Sequence, residues 1–122
     1  MAQTTQIVNE QQELIRVRAL TSLAAATGTG AGTVQNWGAV RANHALQVIL
    51  GGTVPATAIN VNLEGSLDGV NWTTIGSWSL VGGQTSGQTV FFTGKAAAFT
   101  RANVSAMSGG TAPTATAIIG AA

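Results

Sequence analysis

The sequence predicts an all-β chain: an antiparallel β-sandwich, jelly-roll or immunoglobulin-like, with an extended N-terminal arm. Three observations predict it. Apolar residues recur with period two, most cleanly in Ile59-Asn60-Val61-Asn62-Leu63-Glu64, where Ile59, Val61 and Leu63 share one face. Turn signals such as Gly51-Gly52, Asp68-Gly69, Gly82-Gly83 and Gly109-Gly110 separate several short runs, as in an antiparallel sandwich or barrel. No segment carries the 3.6-residue period of a helix.

The elements follow in order. Residues 1 to about 13 are polar, with Gln11-Gln12 near their end, and read as an arm. Leu14 to Leu20 reads as a half-buried strand, with Ile15, Val17 and Ala19 alternating against Arg16 and Arg18. Thr27 to Thr33 is a Gly/Thr/Ala loop. The expected division is therefore 1–33 for arm, first strand and loop, and 34–122 for the sandwich. Within the sandwich, His44 to Leu50 places Leu46, Val48 and Leu50 on one face. After Ile59–Glu64, the Asp68-Gly69 turn leads to Trp72–Leu80, whose even-numbered residues Trp72, Thr74, Gly76, Trp78 and Leu80 share a face. Thr89–Thr93 is short. Ala98–Ala106 sets Ala102 and Val104 opposite Arg101 and Asn103. Pro113 marks the last strand, Thr114–Ile119, as an edge or a late starter, because proline cannot donate to a ladder.

Composition narrows function. Charged residues are 7% of the chain, against about 25% in ordinary soluble domains. Thr, Ser, Asn, Gln, Gly and Ala must cover the surface, or neighbouring subunits must. Of the hydrophobic positions, 21 are alanine, which suits thin, closely spaced sheets. Nucleic-acid binding needs clustered Lys and Arg, and only Arg16 and Arg18 are near one another in sequence. There is no run of about 20 apolar residues to span a bilayer. The absence of cysteine removes disulfides, thiolate chemistry and cysteine-based zinc sites.

Catalytic inventories are thin, so the chain is expected not to be an enzyme and to need no cofactor or metal. The single histidine, His44, opens a strand and reads as a rim residue rather than a base. Glu64 and Asp68 bracket a turn, without the further acids that a calcium loop requires. The glycines of Thr27–Thr33 lack the following Lys-Ser or Lys-Thr of a phosphate loop. Trp72 and Trp78 read as core, whereas Trp37, in a Gly- and Asn-containing segment, reads as an edge or interface residue. Arg16 and Arg18 form a small positive stripe suited to an acidic protein surface.

Leu63-Glu64-Gly65-Ser66-Leu67-Asp68-Gly69-Val70-Asn71-Trp72 resembles a segment of small structural proteins of tailed bacteriophages. Gly94-Lys95, Arg101–Val104 and Ser108–Ala117 are similar to the end of the same module, so the resemblance spans about residues 44–120. It implies a virion β-sandwich, either head-decorating or tail-associated. A head decorator, or cement protein, would sit on the outer surface of the head as a homo-oligomer bound to the phage major capsid protein. Gln11, Gln12, Leu14, Arg16 and Arg18 would then dock, with Trp37 as an anchor. The alternatives are a fibre module that binds a host glycan through Trp37 and the Asp68–Trp72 turn, or a neck or tail-tube component.

Overall fold

The computed structural model describes residues 18–80 and 86–122. Gln11, Gln12, Leu14 and Arg16 lie outside them. The strands are β1 (Arg18–Ala26), β2 (Gly30–Ala31), β3 (Gln35–Arg41), β4 (His44–Val54), β5 (Ala58–Ser66), β6 (Thr73–Ser79), β7 (Thr89–Phe92), β8 (Ala97–Ser108) and β9 (Thr111–Ala121). They form two antiparallel sheets, β1-β9-β4-β7 and β2-β8-β5-β6, with β3 also pairing β8. Pairing is nested: β5 with β6, β4 with β7, β2 and β3 with β8, β1 with β9. Taking β2 and β3 as one broken strand, this is a long hairpin rolled into two sheets. The sandwich is a jelly roll rather than an immunoglobulin fold.

The core follows from period two. Leu46 and Val48 on β4, Val61 and Leu63 on β5, Ala102 and Val104 on β8, and Ala115, Ala117 and Ile119 on β9 are buried between the sheets. Small residues bring the sheets close. Phe92 of β7 lies against Gly76 of β6, where an added Cβ would stand 2.3 Å from the ring.

β1 and β2, expected to belong with the arm, are strands of the two sheets, because Leu20 and Leu23 need a core. The parity of the first strand is also reversed: Ala19 is exposed, while Leu20 pairs Ile119 on the inner face. β1 bulges at Ser22, whose buried hydroxyl reaches the other sheet. Ser22 Oγ donates to the Thr33 carbonyl (2.8 Å) and accepts from the Ala102 N–H (3.0 Å), while Thr33 N–H donates to the Ser22 carbonyl (2.7 Å). This cluster fills the break between β2 and β3.

β4 runs through Gly51-Gly52 rather than ending there. Gly52, at φ 101°, pairs Pro113 of β9. β9 is central, not an edge, yet Pro113 is tolerated because β1 ends at Ala26, opposite Ala115. At the level of Pro113 the strand has only β4 beside it.

Candidate functional site

Strand register places one set of features at a single end of the sandwich. Arg18 pairs Ala121, His44 pairs both Ala121 and Phe92, Arg41 pairs Ala97, and Ser66 pairs Phe99. The start of β1, the β3–β4 turn, the β5–β6 turn, the β7–β8 loop and the C-terminus therefore meet there. The charged residues follow the same division. Among the described residues these are Arg18, Arg41, Glu64, Asp68, Lys95 and Arg101, all at or near this end.

The β5–β6 turn is rigid by construction. Ser66 Oγ accepts from the N–H groups of Asp68 (3.2 Å) and Gly69 (2.8 Å) and donates to Asp68 Oδ1 (2.8 Å). Asp68 Oδ1 also accepts from the N–H groups of Val70 and Asn71 (2.8 Å each), and Oδ2 accepts from Asn71 Nδ2 (2.8 Å). Gly69 takes φ 78°, a conformation that L side chains avoid. The turn holds Leu67 and Val70 out in water at 66% and 74% exposure. Beside it lies a cleft of about 590 Å³, lined by Ser66, Leu67, Asn71, Thr74, Ile75 and Lys95 among others.

The backbone N–H of Asn71, then that of Val70, then the Asn71 amide and the Ser66 hydroxyl, hold the Asp68 carboxyl well below the usual carboxylate range. A depressed folded pKa stabilises the fold above the unfolded value, and that contribution disappears on acidification. The stability difference between wild type and Asp68→Asn is therefore expected to be full at neutral pH. It should shrink as pH falls below about 4, the ordinary aspartate value. Urea midpoints across a pH series check this, and a gap independent of pH contradicts it.

His44 is buried, not a rim residue. Its Nε2 lies 3.0 Å from the Arg41 carbonyl and 2.8 Å from the Lys95 carbonyl, so Nε2 carries the proton and donates to both. The ring ties the β3–β4 turn to the β7–β8 loop. Nδ1 has no partner among the described residues.

Trp37 sits on β3, at the edge of its sheet, but the ring turns inward. It is 8% exposed, and Nε1 donates to the buried Thr100 hydroxyl at 2.8 Å. It belongs to the core, not to an exposed edge. Trp78 is buried as expected, but Trp72 is not in the core. β6 bulges at Ile75, since Leu63 pairs Gly76 while Glu64 pairs Thr74. One extra residue reverses side-chain parity, so Trp72 joins the outer polar face. There the Arg101 guanidinium lies 4.2 Å from its ring centroid. Arg101 Nε donates to Glu64 Oε1 (2.7 Å), and Asn103 Nδ2 donates to Glu64 Oε2 (2.9 Å).

The residues that sequence reasoning passed over are Leu67 and Val70. The Asp-Gly turn was legible, and two large aliphatic side chains flanking it were the available signal. Arg18 opens β1, at the point where residues 1–17 join this end.

No protein-family model and no curated protein matches the chain. Among solved structures, the chain is similar to the crystal structure of the SPBc2 prophage-derived protein YomS, with a TM-score of 0.55 and 16% identity. The match covers 93% of this chain and all of that one. The likeness is one of fold.

Proposed function

We propose that this chain is a bacteriophage virion protein, a capsid decoration or cement protein that binds the outer shell and bridges neighbouring capsid subunits. The observation that carries the reading is the concentration of recognition groups at one end of an otherwise uncharged jelly roll: the described charges, the rigid Leu67/Val70 turn and the junction with residues 1–17. The likeness to a prophage-derived protein supports a phage origin. The jelly roll also supports it by analogy, since the architecture recurs in viral capsid proteins and lectins. The mechanism is mechanical. A rigid body that binds only the assembled shell stabilises that shell by mass action. Residues 1–17, with Gln11, Gln12, Leu14 and Arg16, extend the contact across a seam, and Leu67 and Val70 anchor it. No step in this role requires a catalytic group or a cofactor.

Immunogold labelling of intact particles from the source, combined with co-sedimentation of added protein, tests the reading. Gold spread evenly over the head is expected. A chain beginning at Arg18 keeps β1 and its core residue Leu20, so it should fold as wild type yet fail to sediment with particles. Binding retained by that truncation would remove the arm from the mechanism. Gold confined to the tail would favour the second reading, a glycan-binding fibre module. That reading draws on the Thr74 hydroxyl, the Asn71 amide and Lys95 around the cleft.

A further inference from the structure

Asp68 is the only aspartate in the chain, and glycine follows it. Asp-Gly is the aspartyl sequence most open to rearrangement into isoaspartate, and the chemistry is local. The Gly69 amide nitrogen attacks Asp68 Cγ. A C–N bond forms, and one carboxyl oxygen leaves as water with its own proton and that of the nitrogen. The succinimide ring then takes up a water. Opening at Cγ restores aspartate. Opening at the Asp68 main-chain carbonyl carbon leaves the chain running through Cβ and Cγ, as isoaspartate. One water leaves, one returns, and nothing is oxidised or reduced. Glycine favours the attack because it has no Cβ to shield its nitrogen.

The folded turn opposes each step. Burial is not the reason, since Asp68 is exposed and water reaches the bond. Hydrogen bonding is. The Gly69 N–H donates to the buried Ser66 hydroxyl at 2.8 Å, so its proton is kept from the water that would take it. Both carboxyl oxygens are held. Oδ1 accepts from the Ser66 hydroxyl and from the N–H groups of Val70 and Asn71, and Oδ2 accepts from Asn71 Nδ2. Cγ cannot swing toward Gly69 without parting these bonds. The same bonds favour the charged carboxylate, whereas only the protonated group releases water. Phe99 closes one side of the glycine: a Cβ built on Gly69 would lie 3.5 Å from its ring.

We propose that Asp68–Gly69 is a latent isomerisation site, which Ser66 and Asn71 hold closed for as long as the turn is intact. Ser66 is the main lock, because one hydroxyl meets both the attacking nitrogen and the carboxylate under attack. Its single proton and both lone pairs are used. Asn71 adds one side-chain amide bond. Isomerisation inserts one atom into the main chain between Asp68 and Gly69. The Val70 and Asn71 N–H groups then lose their register with the carboxylate, and Leu67 and Val70 lose their fixed presentation. That last effect bears on docking and rests on the particle reading, but the isomerisation itself does not.

The test is the isoaspartate formed while the full chain is held at neutral pH, read by enzymatic methylation of isoaspartyl carboxyl groups. The chain has no Asn-Gly, and every asparagine precedes a large or branched side chain, so the signal reports residue 68. Asp68→Glu supplies the background to subtract. The native wild-type chain is expected to react at least about tenfold more slowly than the same chain unfolded in urea. Native Ser66→Ala should react about tenfold faster than native wild type, which corresponds to about 1.4 kcal/mol of barrier. Asn71→Ala, a change at an exposed residue, should gain about threefold. Ser22→Ala removes hydrogen bonds to Ala102 and Thr33 but none to the turn, so it should stay near the wild-type rate. A native wild-type rate equal to the rate in urea overturns the proposal. So does a folded Ser66→Ala chain at the wild-type rate. Equal acceleration by Ser22→Ala and Ser66→Ala also overturns it, because global unfolding is then the gate. If Ser66→Ala does not fold, Asn71→Ala decides: a threefold gain supports the lock, and no gain overturns it. Failure of particle labelling leaves this result standing, and failure of the lock leaves the particle reading intact.

Discussion

Ser22→Ala is expected to destabilise the domain by about 1–3 kcal/mol, because it strands the buried Ala102 N–H and also removes the donor to the part-buried Thr33 carbonyl. The Ala102 N–H loses its acceptor and the Thr33 carbonyl loses its donor, at a point where no ladder partner replaces them. An orphaned buried group costs about 1–3 kcal/mol, whereas the small cavity left by the hydroxyl adds little. The loss is a large share of a total stability of about 5–15 kcal/mol. Urea unfolding with an unchanged m-value measures it, and native-state hydrogen exchange localises it to the Ala102 amide. A shift below about 0.5 kcal/mol, the ordinary range for surface substitutions, would mean that Ser22 is not the strap between the sheets. Gly32 belongs to the same cluster. A Cβ there would stand 2.1 Å from the Ser22 carbonyl oxygen, so the cluster needs glycine at 32 as much as serine at 22.

Ser22 also shows where sequence reasoning stops. Strands whose two faces differ in polarity were legible: β5, and the Ala102/Val104 against Arg101/Asn103 alternation of β8, stand as their periods imply. The turn at Asp68-Gly69 was legible because its chemistry is local, with every hydrogen-bond partner within three residues. What escaped was every feature set by a single-residue register change. The bulge at Ile75 sends Trp72 outward while Trp78 stays inside, and nothing in Trp72–Leu80 announces an extra residue. The bulge at Ser22 is silent in the same way. β3 escaped because Gly38, at φ 78°, interrupts its alternation and the compensating partner, Thr100, is distant in sequence. Trp37 therefore looked like a surface residue. The candidate site was legible as a turn but not as an end. Only the pairing of Arg18 with Ala121 shows that β1 starts at the same end of the sandwich as the Asp68 turn and Lys95.

Leu67→Ser combined with Val70→Ser is expected to weaken particle binding at least about a hundredfold without lowering the melting temperature. Fully burying a large aliphatic side chain is worth about 1.5–3 kcal/mol, and 1.4 kcal/mol is a factor of ten, so two such anchors reach that figure when the shell covers both. The fold does not register the change because both side chains are already in water. The strength of the effect rests on preorganisation. Asp68 and Ser66 fix the turn before any partner arrives, so docking does not have to order it. Asp68→Ala keeps both aliphatic side chains and removes that constraint, so it should give an intermediate loss of affinity through a faster dissociation rate. Co-sedimentation with particles and a surface-immobilised binding assay measure the two variants. Equal binding by wild type and Leu67→Ser/Val70→Ser would show that the turn faces solvent on the particle. Equal losses from that double variant and Asp68→Ala would show that turn geometry, not aliphatic contact, is what the shell reads.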